Sequence, residues 1–138
     1  MRYAKSYIDN YFNSINDYHS KSELFLIAYG ELEDKKENTP KWYIELKEIM
    51  NWQAMSDRSG VWTYYEVLYT GNSEILIESL KTKNENEILD MYISGIDNYS
   101  KEELMDEIDK WIFGNEAKIY KYIEDILIIN KNWFYTFV

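Results

Sequence analysis

VWTYYEVLY, residues 61–69, is the stretch on which the fold class turns. Its β-branched and aromatic side chains favour a strand. Its spacing favours a helix, because Val61, Tyr65 and Leu68, or Trp62, Tyr65 and Tyr69, fall on one helical face. A strand needs a partner, and no other segment of the chain offers a convincing one. The stretch therefore reads as a helix. Trp62, Tyr65 and Tyr69 are expected in its core face, with Tyr64 and Glu66 on the opposite side. Gly60 precedes it, and Thr70-Gly71-Asn72 is expected to stop it.

Outward from this stretch the apolar spacing is helical. Ile8, Phe12 and Ile15, with Tyr3, Tyr7 and Tyr11, predict a first helix. Ser20 or Ser22 is expected to start a second, with Leu24, Phe25, Ala28, Tyr29 and Leu32 as its stripe. It should fade in EDKKEN, residues 33–38. Thr39-Pro40 is a start signal, since proline fits the first helical position, where its missing N–H costs nothing. Trp42, Leu46, Ile49 and Met50 then share a face. Asn72 or Ser73 is expected to cap a helix that turns Ile75, Leu76 and Leu80 inward. Glu85 to Ile96 forms another.

Ser100 and Glu103 read as a capping box ahead of Leu104, Ile108, Trp111 and Ile112. Gly114 closes that helix and Asn115 caps the last. Ile119, Tyr122, Ile123, Ile126, Leu127 and Ile129 give the last helix a broad apolar stripe. The tail KNWFYTFV, residues 131–138, should pack back on the body, because its rings would otherwise form an exposed apolar patch. The expectation is an all-α protein, a single compact domain over residues 1–138 with seven or eight short helices.

Composition narrows the function. The chain carries 15 basic and 25 acidic residues, net −10, with 14 tyrosines, 5 tryptophans and no cysteine. Disulfides, thiol nucleophiles and cysteine-based zinc sites are thereby excluded. The negative charge argues against direct binding to nucleic-acid backbones and to anionic membranes, and suits a basic protein partner. No run approaches a membrane span or a signal peptide, which predicts a soluble, cytoplasmic protein. Frequent Ile, Lys and Asn suggest a bacterial source.

Catalytic motifs are sparse. His19 is the single histidine. It could join Ser56 or Ser59 in a triad, but no G-x-S-x-G elbow is present, and Ser56 to Ser59 reads better as a helix–helix connection. Nucleotide-binding glycine loops are absent, and nothing calls for a cofactor. Glu102, Glu103, Asp106, Glu107 and Asp109 place five acids in eight residues. Pairs at i, i+4 could clasp a cation, yet the E-x-x-H pairs of di-metal bundles are missing, and acids also suit the first turns of a helix. A solvated acidic face is expected. Arg58 is one of two arginines and reads as the partner of a nearby carboxylate, or, with Tyr64 and Glu66, as an exposed recognition edge.

Two short motifs carry a resemblance. G-V-W-T-Y-Y-E at residues 60–66, and W-I-F-G-N-E at 111–116 ahead of an apolar helix, resemble small acidic all-helical bacterial proteins of the toxin-immunity and DNA-mimic type. The resemblance implies a non-enzymatic binding protein that covers a basic or catalytic surface of a partner such as a toxin or a nucleic-acid-binding protein. Glu102, Glu103, Asp106, Glu107, Arg58, Tyr64 and Glu66 are the candidate partner-binding residues. The alternatives are an enzyme using clustered carboxylates, with or without a metal, and a structural protein that homodimerises through exposed aromatics.

Overall fold

The periodic apolar segments do become helices, and no strand forms among the residues that the computed structural model describes, 2–33 and 39–138. In chain order these are α1 (Lys5–Asn13), α2 (Tyr18–Leu32), α3 (Lys41–Arg58), α4 (Trp62–Glu66), α5 (Thr70–Thr82), α6 (Asn86–Ser94), α7 (Glu102–Gly114), α8 (Glu116–Ile129) and α9 (Lys131–Tyr135). The helix beyond the expected seven or eight, α9, lies in the tail. No described helix is long and apolar enough to cross a membrane. The expected fading of the second helix falls largely at residues 34–38, outside the described residues.

The contacts gather into two units, Met1–Leu46 with Tyr120–Val138, and Lys47–Ile119. In the first, Ile8, Leu24, Ala28, Ile123, Leu127 and Phe134 are wholly buried. The tail packs back as its composition demands. Phe134 meets Phe12 edge-on at 5.5 Å, Trp133 meets Trp42 at 5.1 Å, and the Phe137 carbonyl accepts from the Arg2 and Tyr3 amides. Ile129, expected in the α8 stripe, is 73% exposed; it is the last residue of the helix, at the edge of the stripe beside Ile126.

Lys21 is a buried cation in this unit. Its Nζ donates to the carbonyls of Ile15 at 2.7 Å and Asn16 at 3.0 Å, beyond the end of α1. Burial pushes its pKa down, while Glu124 and Asp17 act against that shift.

In the second unit Ile49, Trp52, Val61, Leu76, Ile88 and Tyr92 are wholly buried. Here residues 61–69 resolve differently from expectation. Only one and a half turns form, at Trp62–Glu66, and Val67 leaves the helix. Thr70-Gly71-Asn72 does not stop a helix but opens α5, whose first amides, at Asn72 and Ser73, reach the Tyr69 carbonyl, each at 3.1 Å. With so short a helix Tyr69 falls outside it and shares no helical face with Trp62. Trp62 is 42% and Tyr69 70% exposed, and Tyr64 and Tyr65 are buried.

Local chemistry sets several boundaries. Asn84 ends α5 in the left-handed region, φ 58°, and the Glu85 amide bonds back to the Leu80 carbonyl at 2.9 Å. Pro40 sits one position earlier than expected, with its carbonyl accepting from Tyr43 and Ile44 in the first turn of α3. The capping box does not form. Lys101 occupies the cap of α7, one residue past Ser100, and no side chain caps it. Along α7 the inward residues are Met105, Ile108 and Ile112, with Leu104 and Trp111 half-buried. The Asn115 amide group caps α7 rather than α8, donating to the Trp111 carbonyl at 2.8 Å.

The excess of tyrosine and of acid meet in one recurrent arrangement. The Tyr43 phenol donates to Glu33, Tyr122 to Glu45, Tyr64 to Glu48 and Tyr135 to Asp9. Glu45 and Glu48 lie on α3 and are themselves buried. Such charge-assisted bonds help a carboxylate to enter a core. Every buried side-chain nitrogen and oxygen among the described residues has a partner.

Candidate functional site

The acidic run of α7 is the surface to build from. With Met105, Ile108 and Ile112 turned inward, helical spacing sends Glu102, Glu103, Asp106 and Glu107 outward. All four are exposed. None makes a hydrogen bond or ion pair with another described residue. Glu102 and Glu103 occupy the first turn, where the helix dipole favours them.

Asp109, the fifth acid, behaves differently. It lies beside Met105 on the flank of the inward face, is half-buried, and faces the end of α3 and the start of α4. Its Oδ1 accepts from the Ser56 hydroxyl at 2.6 Å and from the Val61 amide at 2.9 Å. That pair of bonds fixes the chain at the start of α4. Gly60 has φ 98°, and a Cβ there would meet the Trp62 ring at 3.0 Å. Only glycine lets the backbone turn here with the indole lying against it.

Two open grooves flank α7. One, about 450 Å³, is lined by Trp62, Tyr99, Glu102, Met105, Asp106 and Asp109 among others. The other, about 350 Å³, includes Ser56, Asp57, Asp109, Lys110 and Phe113. Trp62, Tyr99 and Phe113 are exposed at 42%, 44% and 76%. Among the described residues no group of three or more histidine or acidic side chains is placed to hold a metal ion.

The other candidate residues separate. Arg58 is exposed in the last turn of α3, and among the described residues it has no ion pair. The expected Arg58–carboxylate pair is thus not formed, because α3 runs on through Ser56 to Arg58, where a loop was expected. Glu66 is exposed at the end of α4. Neither Arg58 nor Glu66 lines either groove.

Tyr64 is a correction. Expected at the surface as a recognition residue, it is 2% exposed. Its hydroxyl donates to Glu48 at 2.7 Å and lies 2.6 Å from the Tyr92 hydroxyl. A phenol has one proton to give, so Tyr92 donates to Tyr64. Beside them Trp52 Nε1 donates to the Tyr65 hydroxyl at 2.9 Å, and Tyr65 to the Tyr92 carbonyl at 2.7 Å. Burial, with Tyr92 and Glu48 adding to it, holds the Tyr64 phenol far above its ordinary pKa. It is a neutral hydrogen-bond donor, not a recognition group. Tyr64→Phe should cost about 1–3 kcal/mol, since it removes the donor to Glu48 Oε1 and the acceptor of the Tyr92 hydroxyl. Urea denaturation checks this, and a loss under about 0.5 kcal/mol would show that water replaces the hydroxyl.

The triad candidates are also occupied otherwise. Ser56 binds Asp109, Ser59 shares a bond with Thr63 at 2.9 Å, and His19 lies edge-on to Tyr11 at 6.2 Å.

No family model, curated protein or solved structure matches this chain. Sequence reasoning missed Trp62, Tyr99 and Asp109 as groove residues. A signal existed for Asp109, the acid of the run nearest the apolar face in helical register. None existed for Trp62, whose exposure follows from where α4 stops.

Proposed function

We propose that this protein is a non-enzymatic, acidic binding protein of the immunity or antitoxin type, which covers a basic surface of a protein partner. The observation that carries the reading is the outer face of α7, where four carboxylates stand exposed with no cation of the described chain paired to them. Like charges crowded on one face repel one another, and a basic partner relieves that repulsion as it docks. The net charge of −10 acts in the same direction at longer range.

The test is affinity capture from a lysate of the source cells, run in parallel with the native chain and with the Glu103→Lys, Glu107→Lys double variant. A basic protein retained by the native chain and lost with the variant supports the reading. Equal retention by both removes α7 from the interface. With the captured protein purified, the double variant should associate about tenfold more slowly at low salt. The rate should also respond less to added salt, because screening acts over a Debye length of about 8 Å at physiological ionic strength. Dissociation should change less than association.

A further inference from the structure

The larger groove beside α7 has a composition that the smaller one lacks. None of its lining residues is basic, whereas Lys110 lines the other groove. Glu102, Asp106 and Asp109 follow one another at i+4 and i+3 along α7, so their carboxylates form a single ridge. Asp109 has one oxygen committed to Ser56 and Val61. Glu102 and Asp106 have no hydrogen-bond or ion-pair partner among the described residues.

Trp62 and Tyr99 bring two half-exposed rings to the same groove. The indole is held where it lies, because it packs on Gly60, and the Val61 amide beside it is bonded to Asp109. An aromatic face is electronegative and attracts a cation within about 6 Å of its centre. The Met105 side chain adds an apolar floor.

Carboxylates, ring faces and an apolar floor together match one chemical group better than its competitors. A guanidinium is planar, weakly hydrated and always charged. It can fork onto a carboxylate with its edge while its face lies on an aromatic ring. An ammonium is more strongly hydrated and loses more on leaving water.

We propose that this groove receives the guanidinium group of an arginine side chain on the basic partner, a placement that rests on the binding-protein reading above. Glu102 and Asp106 take the charge, Trp62 and Tyr99 take the face, and Asp109 positions the wall that carries Trp62.

The test uses the whole isolated protein titrated with Nα-acetyl-arginine amide and followed by two-dimensional ¹H–¹⁵N NMR. Saturable shifts are expected at the Trp62 indole N–H and at the amides of Tyr99, Glu102 and Asp106. The neutral isostere Nα-acetyl-citrulline amide should leave them unmoved. Trp62→Leu should weaken arginine binding about two- to fivefold, and Glu102→Gln with Asp106→Asn about fivefold. These side chains are exposed, and the spectra report whether each variant stays folded. The absence of saturable shifts at these residues overturns the proposal. So does citrulline or a lysine analogue binding as tightly as arginine, or a double variant that binds unchanged. The two readings fail separately. A groove that binds arginine in a chain that captures no basic protein retains the groove and loses the covering function. A captured partner that depends on Glu103 and Glu107 but not on Trp62, Glu102 and Asp106 retains the function and loses the groove.

Discussion

Replacing Trp52 with alanine is expected to cost about 3–5 kcal/mol of stability, the range for deleting a large buried aromatic side chain. Trp52 is wholly buried on α3, edge-on to Tyr92 at 5.7 Å. Two losses add. The transfer energy of the indole disappears and a cavity remains, because the neighbouring Ile49, Met50 and Gln53 are themselves buried on the same helix and a packed core relaxes only partly around a deletion. The Tyr65 hydroxyl also loses the Nε1 donor at 2.9 Å. Trp52→Phe helps to separate the two, since it keeps an aromatic ring in the site while removing the donor and part of the ring volume. It should cost about 1–3 kcal/mol. Urea denaturation of the two variants beside the native chain checks both. A Trp52→Ala loss below about 1 kcal/mol would mean that the pocket closes over the deletion, against the close packing of ordinary cores.

Ile123→Ala should cost about 2–5 kcal/mol. Ile123 is wholly buried on α8, in one stripe with Ile119, Ile126 and Leu127, which are each at most 1% exposed. The neighbouring Tyr122 directs its hydroxyl to the buried Glu45 at 2.7 Å. That bond limits how far the helix can shift to fill the space, so the upper part of the range is expected. Thermal or urea unfolding measures it. A loss under about 0.5 kcal/mol would leave the α8 stripe without a packing role. Ile129→Ala serves as the contrast: an exposed side chain at the end of the same helix should change stability by less than about 0.5 kcal/mol.

The contrast between Ile123 and Ile129 shows where pattern reading ends. Both fit the same apolar period, but the period records which residues can share a face, not how wide a face the neighbours cover. The limit is sharper on α3. Trp42, Leu46, Ile49 and Met50 were legible as one stripe, whereas Tyr43, Glu45, Glu48 and Gln53 are also buried. A helix enclosed on several sides carries buried polar groups that no single stripe anticipates, and Glu45 and Glu48 are tolerated because phenols elsewhere in the chain donate to them.

The sequence alone determined that the chain is helical, through the three- and four-residue spacing of its apolar side chains, and that α7 carries Glu102, Glu103, Asp106 and Glu107 outward. It also determined that the C-terminal rings pack against the body, since their apolar area is unfavourable in water. Only the tertiary structure decided the fate of residues 61–69. Asp109, distant in sequence, fixes the Val61 amide, and Tyr65 lies against Gly95, where a Cβ would meet its ring at 2.3 Å. These contacts hold α4 to one and a half turns with Tyr64 and Tyr65 inward, and leave Trp62 at the rim of the acidic groove. Local spacing is a property of neighbours in the chain. Which face is buried depends on partners brought in from 30 to 50 residues away, and that information is absent from any single segment.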